Sequence, residues 1–517
     1  MGTKRDKSLS KRVFACLLSV LILSAANACG SGAATSTDSS TSTIRMRVQT
    51  DLDTWDNTKA ASTGSLYWMG PVYETLIRAT PEGKFEPLLA ESYAFSADGR
   101  VLTLETRAGV TFSDGTAFDA KAVVSNLDRA MTVDGSQRAP KLKEAIASLA
   151  APDETTVAIT LTDSGVAILD LLSQMEGIMA SPKAFAEPDF ANKPVGTGPF
   201  VLTEHKKGQS MTFKANPNYW GDGPKVGGLE LQIIPDDQTT VSALSSGEID
   251  LFTESQSMFA DTLIQQAKGT PNVTVAEPGG VNLTEITLNR APGQPFADPR
   301  VRQAIYYAID FDGLSAIAPR MKKSLQYAVS GSPFFDSGLE DLYSYDPGKA
   351  KQLLAEAGYP NGFSFTMRAV ESGPLVPMAS YVQSNLSEVG IDVKVQVTPL
   401  PAFRQDCYVD KKCNSTFTRV SMSADPARVA QSRMIPTGSG AWGPIPDDVN
   451  AAYKTASALA DEATHVANVR AFSRAYAESA QNLVLAQAPI AVIARKSLSD
   501  IQVDFGGMII WEKIAKS

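Results

Sequence analysis

Strand-like and helix-like segments alternate along almost the whole chain, and this alternation limits the folds open to it. Residues 44–48 (IRMRV) alternate apolar and polar side chains with the period of two of a half-buried strand. Residues 91–95 and 101–105 form two further strand patterns, separated by a turn in which Asp98 and Gly99 suit the positive φ of a tight hairpin. The mixture of strands and helices predicts an α/β architecture rather than a helical bundle or a β-sandwich.

Three helices can be read from the sequence. Asp298 can cap a helix that begins at Pro299, because the apolar residues at 301, 304, 305, 308 and 309 then share one face. Asp346 and Pro347 open a second helix in the same way, and Gly358 ends it. A third, alanine-rich helix is predicted from Asp461 to about Leu485. A chain of 517 residues is too long for one hydrophobic core, so two or three domains are expected.

The first 43 residues have the pattern of an export signal followed by a tether. A basic stretch, 4–12, precedes an apolar run, 13–28, that is shorter than the roughly 20 residues of a membrane-spanning helix. Residues 24–29 (SAANAC) resemble a bacterial lipobox, although Ala26 and Asn27 differ from its usual residues. We predict a lipoprotein signal peptide over 1–28, a lipid on Cys29 that anchors the protein outside the cytoplasm to the cell membrane, and a flexible tether over 29–43. Ordinary secretion and an uncleaved anchor are the alternatives.

The charge of the chain excludes some partners. Its formal charge is −9, and removal of residues 1–28 leaves 42 basic and 55 acidic residues, a charge of −13. Nucleic acid and anionic membrane surfaces repel such a protein. We therefore expect no nucleic-acid partner and a membrane contact through the lipid alone.

Two cysteines remain after Cys29, at positions 407 and 413. In an exported chain, Cys407 and Cys413 favour a local disulfide that closes a small loop. A redox or metal role is the weaker alternative, because the sequence has no Cys-x-x-Cys and no histidine nearby.

A series of short motifs occurs in order along most of the remaining chain. The motifs are 72–76 (VYETL), 89–99 (LAESYAFSADG), 107–115 (RAGVTFSDG), 196–200 (GTGPF), 216–221 (NPNYWG), 243–250 (ALSSGEID), 295–304 (PFADPRVRQA) and 345–359 (YDPGKAKQLLAEAGY). Together they resemble family 5 of the extracellular solute-binding proteins, the peptide- and nickel-type receptors that serve ABC importers. Each motif alone is weak and is explained by turn glycines and packing residues.

The resemblance implies a two-lobed clamp of the periplasmic-binding-protein type (type II) with an additional α/β domain. By analogy, residues 44–70, 190–270 and 486–517 form the first lobe, 71–189 the additional domain and 271–485 the second lobe. It implies a monomer without cofactors that closes over a small solute and passes it to the permease subunits. The expected solute is an oligopeptide or a peptide-like or anionic small molecule. A non-transport envelope sensor or regulatory interaction protein that reuses the fold is the alternative function.

The same resemblance directs attention to residues 418–426 (TRVSMSADP). Peptide binders of this family hold the peptide amine with an Asp three residues before an Asp that precedes Pro, and here that position is Met422. The expected carboxylate is therefore missing, and Met422 offers an adaptable apolar wall instead. Asp425 is a second candidate, with a turn or helix cap as its alternative role. Arg419 is a candidate contact for an anionic ligand group, with a surface salt bridge as its alternative role.

Four aromatic residues are candidates to stack on a ligand: Trp55, Tyr67, Trp68 and Trp442. Core packing is the alternative for each of them. The only histidines, His205 and His465, lie in unrelated positions, so a histidine-ligated nickel chelate or haem is disfavoured and no metal site is predicted.

Signatures of enzymes are missing. The sequence has no G-x-S-x-G, H-E-x-x-H or Walker A motif, and the one G-x-G-x-x-G, at 438–443, lies between prolines rather than between a strand and a helix. We therefore predict a binding protein and not an enzyme.

Overall fold

A computed structural model describes residues 42–60, 65–162, 165, 167–254, 260–434, 442–458 and 462–517. The predicted signal peptide, Cys29 and nearly all of the tether lie outside these residues, as do positions 438–441 of the glycine-rich motif. Within the described residues, no helix has the length and apolarity needed to cross a bilayer.

Strands and helices alternate throughout the described chain. The strands are β1 (Thr43–Val48), β2 (Glu74–Thr75), β3 (Ile77–Ala79), β4 (Phe85–Pro87), β5 (Ala90–Phe95), β6 (Val101–Thr106), β7 (Ile146–Ala150), β8 (Thr156–Leu161), β9 (Ile178–Met179), β10 (Phe200–Lys206), β11 (Ser210–Ala215), β12 (Gly228–Ile233), β13 (Leu251–Thr253), β14 (Val273–Leu288), β15 (Lys322–Lys323), β16 (Phe363–Val370), β17 (Ile391–Thr398), β18 (Ser415–Ser421), β19 (Leu483–Arg495), β20 (Leu498–Ser499) and β21 (Ala515–Lys516). The helices are α1 (Leu66–Met69), α2 (Ala120–Thr132), α3 (Ala139–Ala145), α4 (Ala167–Leu172), α5 (Asp237–Ser246), α6 (Ala260–Lys268), α7 (Pro299–Ala308), α8 (Phe311–Ile317), α9 (Pro347–Glu356), α10 (Leu375–Glu388), α11 (Leu400–Phe403), α12 (Pro426–Met434), α13 (Asp447–Ser457) and α14 (Glu462–Glu478). The α/β class predicted from the sequence is confirmed.

One large mixed sheet organises the fold. Its strand order is β10-β11-β12-β1-β13-β19-β14-β18-β16-β17, with β15 beside β19. The two longest strands, β14 and β19, pair along their length and belong to both halves of this sheet. Residues 273–276 of β14 pair with 492–495 of β19 next to β13, whereas residues 281–286 pair with 483–489 next to β18. The two halves of the sheet are therefore joined by these continuous strands.

The join is irregular where the two strands pass from one half to the other. The register of β14 against β19 shifts on both sides of Gly279, which has a φ of +147°. A Cβ atom at this position would lie 2.5 Å from the Cβ atom of Pro81. Only glycine has both the conformation and the size that this bend requires.

Replacement of Gly279 by alanine tests this requirement. We expect Gly279→Ala to lower the free energy of unfolding by about 2–3 kcal/mol, because the φ strain and the contact with Pro81 add. Gly208→Ala is the matched control, since Gly208 has a φ of +73° and open space around it. Denaturant unfolding should show the smaller loss for Gly208→Ala, and equal losses would contradict this account of the bend.

A separate four-stranded sheet, in the order β5-β6-β8-β7, packs on α2. Its core includes Leu102, Leu104, Val123, Leu127 and Ile159, all fully buried. The β5–β6 hairpin predicted from the sequence is present, and Gly99 in its turn has a φ of +69°. The predicted lobe and domain limits stay a prediction.

Two of the three predicted helices are confirmed at their caps. The Asp298 carboxylate accepts a hydrogen bond from the Arg300 backbone N–H at the start of α7. The Asp346 carboxylate accepts one from the Lys349 N–H at the start of α9.

The end predicted for the third helix is wrong. Helix α14 ends at Glu478, and Leu485 lies in β19. Ala480 takes a left-handed conformation, with a φ of +48°, where glycine or asparagine commonly marks the end of a helix. Alanine is not one of these residues, so no residue type marks the end of the helix here. The prediction therefore extended the helix into β19, a strand that is buried along nearly its whole length.

Candidate functional site

Two adjoining cavities, here called the central cleft, lie between distant parts of the chain. Both are lined by Leu66, Tyr67, Ser173, Asp504 and Met508. One is bounded in addition by α4 and by Met422 and Ala424, and the other by Glu74, Arg78 and Glu512. They enclose about 140 and 70 Å³. This is below the roughly 300–1,000 Å³ of most small-molecule pockets, so the cleft has to widen to admit a peptide.

Asp170 places a carboxyl group in the same cavity as Met422. This residue lies in the apolar helix α4 and lines the central cleft together with Met422. The Ser423 hydroxyl donates a hydrogen bond of 2.6 Å to Asp170 Oδ1, and Arg428 Nε lies 3.5 Å from Asp170 Oδ2. Burial raises the pKa of Asp170, and the charge of Arg428 opposes this rise.

The described lining of the central cleft is acidic. Its charged residues are Glu74, Arg78, Asp170, Asp504 and Glu512. The single cation among them, Arg78, pairs with Glu512 at 3.0 Å. Burial raises the pKa of Asp504 to about 6 and that of Glu74 to about 7. The Glu74 carboxylate accepts hydrogen bonds from Thr197, Tyr219 and Trp220, which oppose the rise in its pKa. Such a lining favours a positively charged group of a ligand.

Asp425 lies just behind the cleft rather than in its lining. Its carboxylate accepts a hydrogen bond from the Ala427 N–H and caps α12, which is the alternative role considered for it. The residue is 3% exposed, and burial followed by the charge of Asp170 raises its pKa to about 7. Its role as a ligand contact stays a prediction.

Arg419 belongs to an ion-pair cluster at the join of the two half-sheets. Glu254, which directly follows β13 and is 1% exposed, lies 3.4 Å from Arg419 Nη1 and 2.9 Å from Arg320 Nη1. Glu254 also accepts a hydrogen bond from the Ala491 N–H of β19, and Arg320 contacts Glu277 of β14 at 3.0 Å. The structure therefore gives Arg419 a salt bridge to a buried carboxylate rather than a surface salt bridge, and its role as a ligand contact stays a prediction.

The four aromatic candidates separate into two groups. Tyr67 lines both cavities of the central cleft, and its hydroxyl donates a hydrogen bond to the Gly506 carbonyl at 2.9 Å. Trp55, Trp68 and Trp442 are each buried in a hydrophobic core, the alternative considered for them. Their contact with a ligand stays a prediction.

The remaining candidates are placed as follows. Cys407 and Cys413 form a disulfide with a Cα–Cα distance of 5.0 Å. His205 Nε2 lies 2.8 Å from Asp51 Oδ1, and His465 packs edge-on against Phe334. The described residues contain no group of three or more His, Cys, Asp or Glu side chains arranged to hold a metal.

Sequence reasoning missed Asp170 and Asp504. A lone aspartate within the apolar segment 167–172 (AILDLL) was an available signal for Asp170, because an acid rarely occupies such a segment without a buried partner. Asp504 gave no comparable signal, since its place in the cleft depends on the packing of the C-terminal segment.

Comparison with known proteins decides the family. Residues 84–443 match the family described as bacterial extracellular solute-binding proteins, family 5. The glutathione-binding protein GsiB of Escherichia coli (strain K12) is 33% identical over 378 residues, which cover 71% of each protein. The chain belongs to family 5 of the bacterial extracellular solute-binding proteins.

Solved structures confirm the clamp fold. The periplasmic binding protein DppA from Helicobacter pylori, in complex with the peptide STSA, superposes with a TM-score of 0.75 at 23% identity and covers 93% of this chain and 99% of its own. NikA from Brucella suis, in complex with Fe(III)-EDTA, superposes with a TM-score of 0.78 at 25% identity, covering 92% and 100%. The fold is the predicted periplasmic-binding-protein clamp with its additional α/β domain.

Membership of this family fixes the coarse function. The protein is an extracytoplasmic solute-binding component of an ABC transporter, which captures a small solute for the membrane permease. The family is one of binding proteins and not of enzymes. The relatives named above give no support to the alternative of a non-transport sensor.

Proposed function

We propose that this family 5 protein captures a short peptide or peptide-like solute that carries a protonated amine. The observation that carries the proposal is the position of Asp170. Its carboxylate accepts a hydrogen bond from Ser423, the residue next to Met422, and it lines the same cavity as Met422. A carboxylate here offsets the cost of burying an ammonium group, which Met422 does not.

The acidic lining supports a cationic group of the solute over an anionic one. Arg78 is paired with Glu512, and Arg419 is held by Glu254 away from the described cavities. Glutathione, the ligand in the name of GsiB, and the peptide bound to DppA both carry an amine of the required kind. The anionic ligand group expected from Arg419 has less support from this arrangement.

In this proposal, the two lobes predicted from the sequence move to enclose the solute. The first lobe consists of residues 44–70, 190–270 and 486–517, and the second of residues 271–485. Support comes from β14 and β19, whose continuous strands link the two half-sheets on either side of an irregular register. Closure encloses the ligand between Tyr67 of the first lobe and Met422 of the second, beside Asp170 of the additional domain. It removes water from the amine–carboxylate contact, which strengthens that contact.

Calorimetric titration with paired ligands tests the proposed class of solute. The pairs are a dipeptide and its N-acetyl form, and glutathione and its N-acetyl form. The free-amine member of at least one pair should bind one to one and at least tenfold more tightly than its acetylated partner. Equal binding of both members would refute the amine contact, whereas no binding in either pair would refute the peptide class.

The lipid anchor on Cys29 is the second part of the proposal, supported by the apolar run and the lipobox-like residues 24–29. In the native host, Cys29→Ala should move the protein from the membrane fraction to the soluble extracytoplasmic fraction, because one acyl-bearing residue provides the whole attachment. Fractionation with immunodetection measures this, and Ser31→Ala is the control. Membrane retention of Cys29→Ala at the wild-type level would refute the anchor.

A further inference from the structure

The largest of the cavities described here lies away from the central cleft. It encloses about 550 Å³ between α7, the end of α14 and the segment 444–448, and it shares no described lining residue with the cleft. Two arginines, Arg290 and Arg302, and the side chain of Gln481 belong to its lining. None of these residues has a role in the proposed capture of the solute.

Both arginines are buried without an ion-pair partner among the described residues, although the charge of Glu285 acts on Arg290 and that of Asp298 on Arg302. Arg290 is 2% exposed and Arg302 is 3% exposed. Arg302 donates to the backbone carbonyls of Ala480, Phe296 and Ser479 at 2.6–2.8 Å. Neither guanidinium forms an ion pair with a carboxylate in the described part of the chain, unlike the buried Arg433, whose Nε lies 2.9 Å from Glu285 Oε1.

Arg290 is the less satisfied of the two. Its Nη1 donates to the Gln481 carbonyl at 2.6 Å and to Asn482 Oδ1 at 2.8 Å, but its Nε and Nη2 atoms have no hydrogen-bond partner. The Asn482 Nδ2 donor is also buried without a partner. Burying a cation whose donors have no hydrogen-bond partner costs free energy. These donors are therefore suited to bind an anion.

The positive charges of Arg290 and Arg302 repel each other. Burial lowers the pKa of Arg302 to about 10, and the positive charge of Arg290 is the second cause of this shift. Asp448 and Glu478 also line the cavity, but both are solvent-exposed and therefore screened. The buried charge at the cavity is consequently positive.

Gln481 is a fully buried residue that lines the cavity and accepts a hydrogen bond from Arg290 through its backbone carbonyl. The unpaired nitrogen atoms of Arg290 are covered in this structure. The Gln481 amide is held only by a hydrogen bond of 3.5 Å from its Nε2 to the Ser479 carbonyl, and its Oε1 has no partner. A rotation of this side chain therefore breaks one weak hydrogen bond.

We infer that the cavity between α7 and α14 binds a small oxyanion or carboxylate, which Arg290 and Asn482 hold after Gln481 turns aside. The anion supplies a direct ion-pair partner, which neither arginine has among the described residues, and satisfies donors that are otherwise unpaired. Arg302 adds charge without a direct contact, because its guanidinium already donates to four backbone carbonyls.

Thermal unfolding in sulfate, phosphate and acetate, each exchanged for chloride at constant ionic strength, tests the inference. Sulfate and phosphate stabilise most proteins by exclusion from the surface, an effect that grows without saturating. A specific site should add a saturating rise in Tm of about 2 °C or more for at least one anion. This rise should be lost in Arg290→Met and kept in Arg300→Gln, a control at an exposed arginine of α7 that pairs with Asp298.

A second variant keeps the test decisive if Arg290→Met does not fold. Gln481→Ala removes the side chain that is inferred to turn aside and keeps both arginines, so the half-saturating anion concentration should fall several-fold. A wild-type protein without any saturating rise would overturn the inference. An unchanged rise in Arg290→Met, or an unchanged half-saturation in Gln481→Ala, would do the same.

Discussion

Replacement of Glu254 by glutamine should weaken the join between the two half-sheets. Glu254 is the shared partner of Arg320 and Arg419, and it also accepts the Ala491 N–H of β19. Removal of its charge leaves two guanidinium groups around a neutral amide in a buried position. Loss of one partner from a buried ion pair costs about 3–5 kcal/mol.

Hydrogen exchange of the β14 and β19 amides near the join is the direct measurement. A loss of about 3 kcal/mol in the local free energy of opening corresponds to exchange that is roughly 100-fold faster. Glu248→Gln is the matched control, because Glu248 is an exposed glutamate six residues earlier in the chain. Unchanged exchange in Glu254→Gln would show that the cluster does not hold the join.

Replacement of Asp170 by asparagine should reduce affinity for the amine-bearing solute by about 30- to 4,000-fold. The change keeps the size of the side chain and removes the charge that faces the ammonium group. Truncating one partner of a buried, hydrogen-bonded charge pair costs about 2–5 kcal/mol, and each 1.4 kcal/mol is a factor of ten. Calorimetric titration of the variant with the tightest free-amine ligand measures the effect.

Two controls separate charge from packing in this experiment. Asp128→Asn, at an exposed aspartate of α2, should bind as the wild type does. Ser423→Ala removes the hydrogen bond of 2.6 Å to Asp170 and leaves the carboxylate in place, so its loss should be smaller than that of Asp170→Asn. An Asp170→Asn variant that binds the free-amine ligand as tightly as the wild type would refute the proposed anchor.

Local sequence patterns predicted the helices whose starts are marked by nearby residues. Helices α7 and α9 were placed correctly because Asp298 and Asp346 cap their starts through contacts within three residues. The end of α14 was missed because Ala480 adopts the left-handed conformation without the residue types that normally announce it. Elements are therefore predictable where one short segment contains both the pattern and its end signal.

The candidate site was only partly predictable for a related reason. Alignment along one segment identified Met422 and the absence of a carboxylate at its position, but Asp170 contacts Ser423 across 253 residues of chain. In the same way, Glu254 meets Arg419 from 165 residues away. Such partners are set by the tertiary fold, and a single sequence gives no periodicity or spacing from which to derive them.

The most direct test of the central claim is thermal unfolding of the purified protein in the presence of pooled small molecules, with the positive pools resolved to single compounds. The account predicts that a short peptide or peptide-like compound with a free amine stabilises the protein, by about 2.7 kcal/mol at 100 times its dissociation constant. Absence of stabilisation by any peptide, or stabilisation only by compounds without an amine, would contradict it.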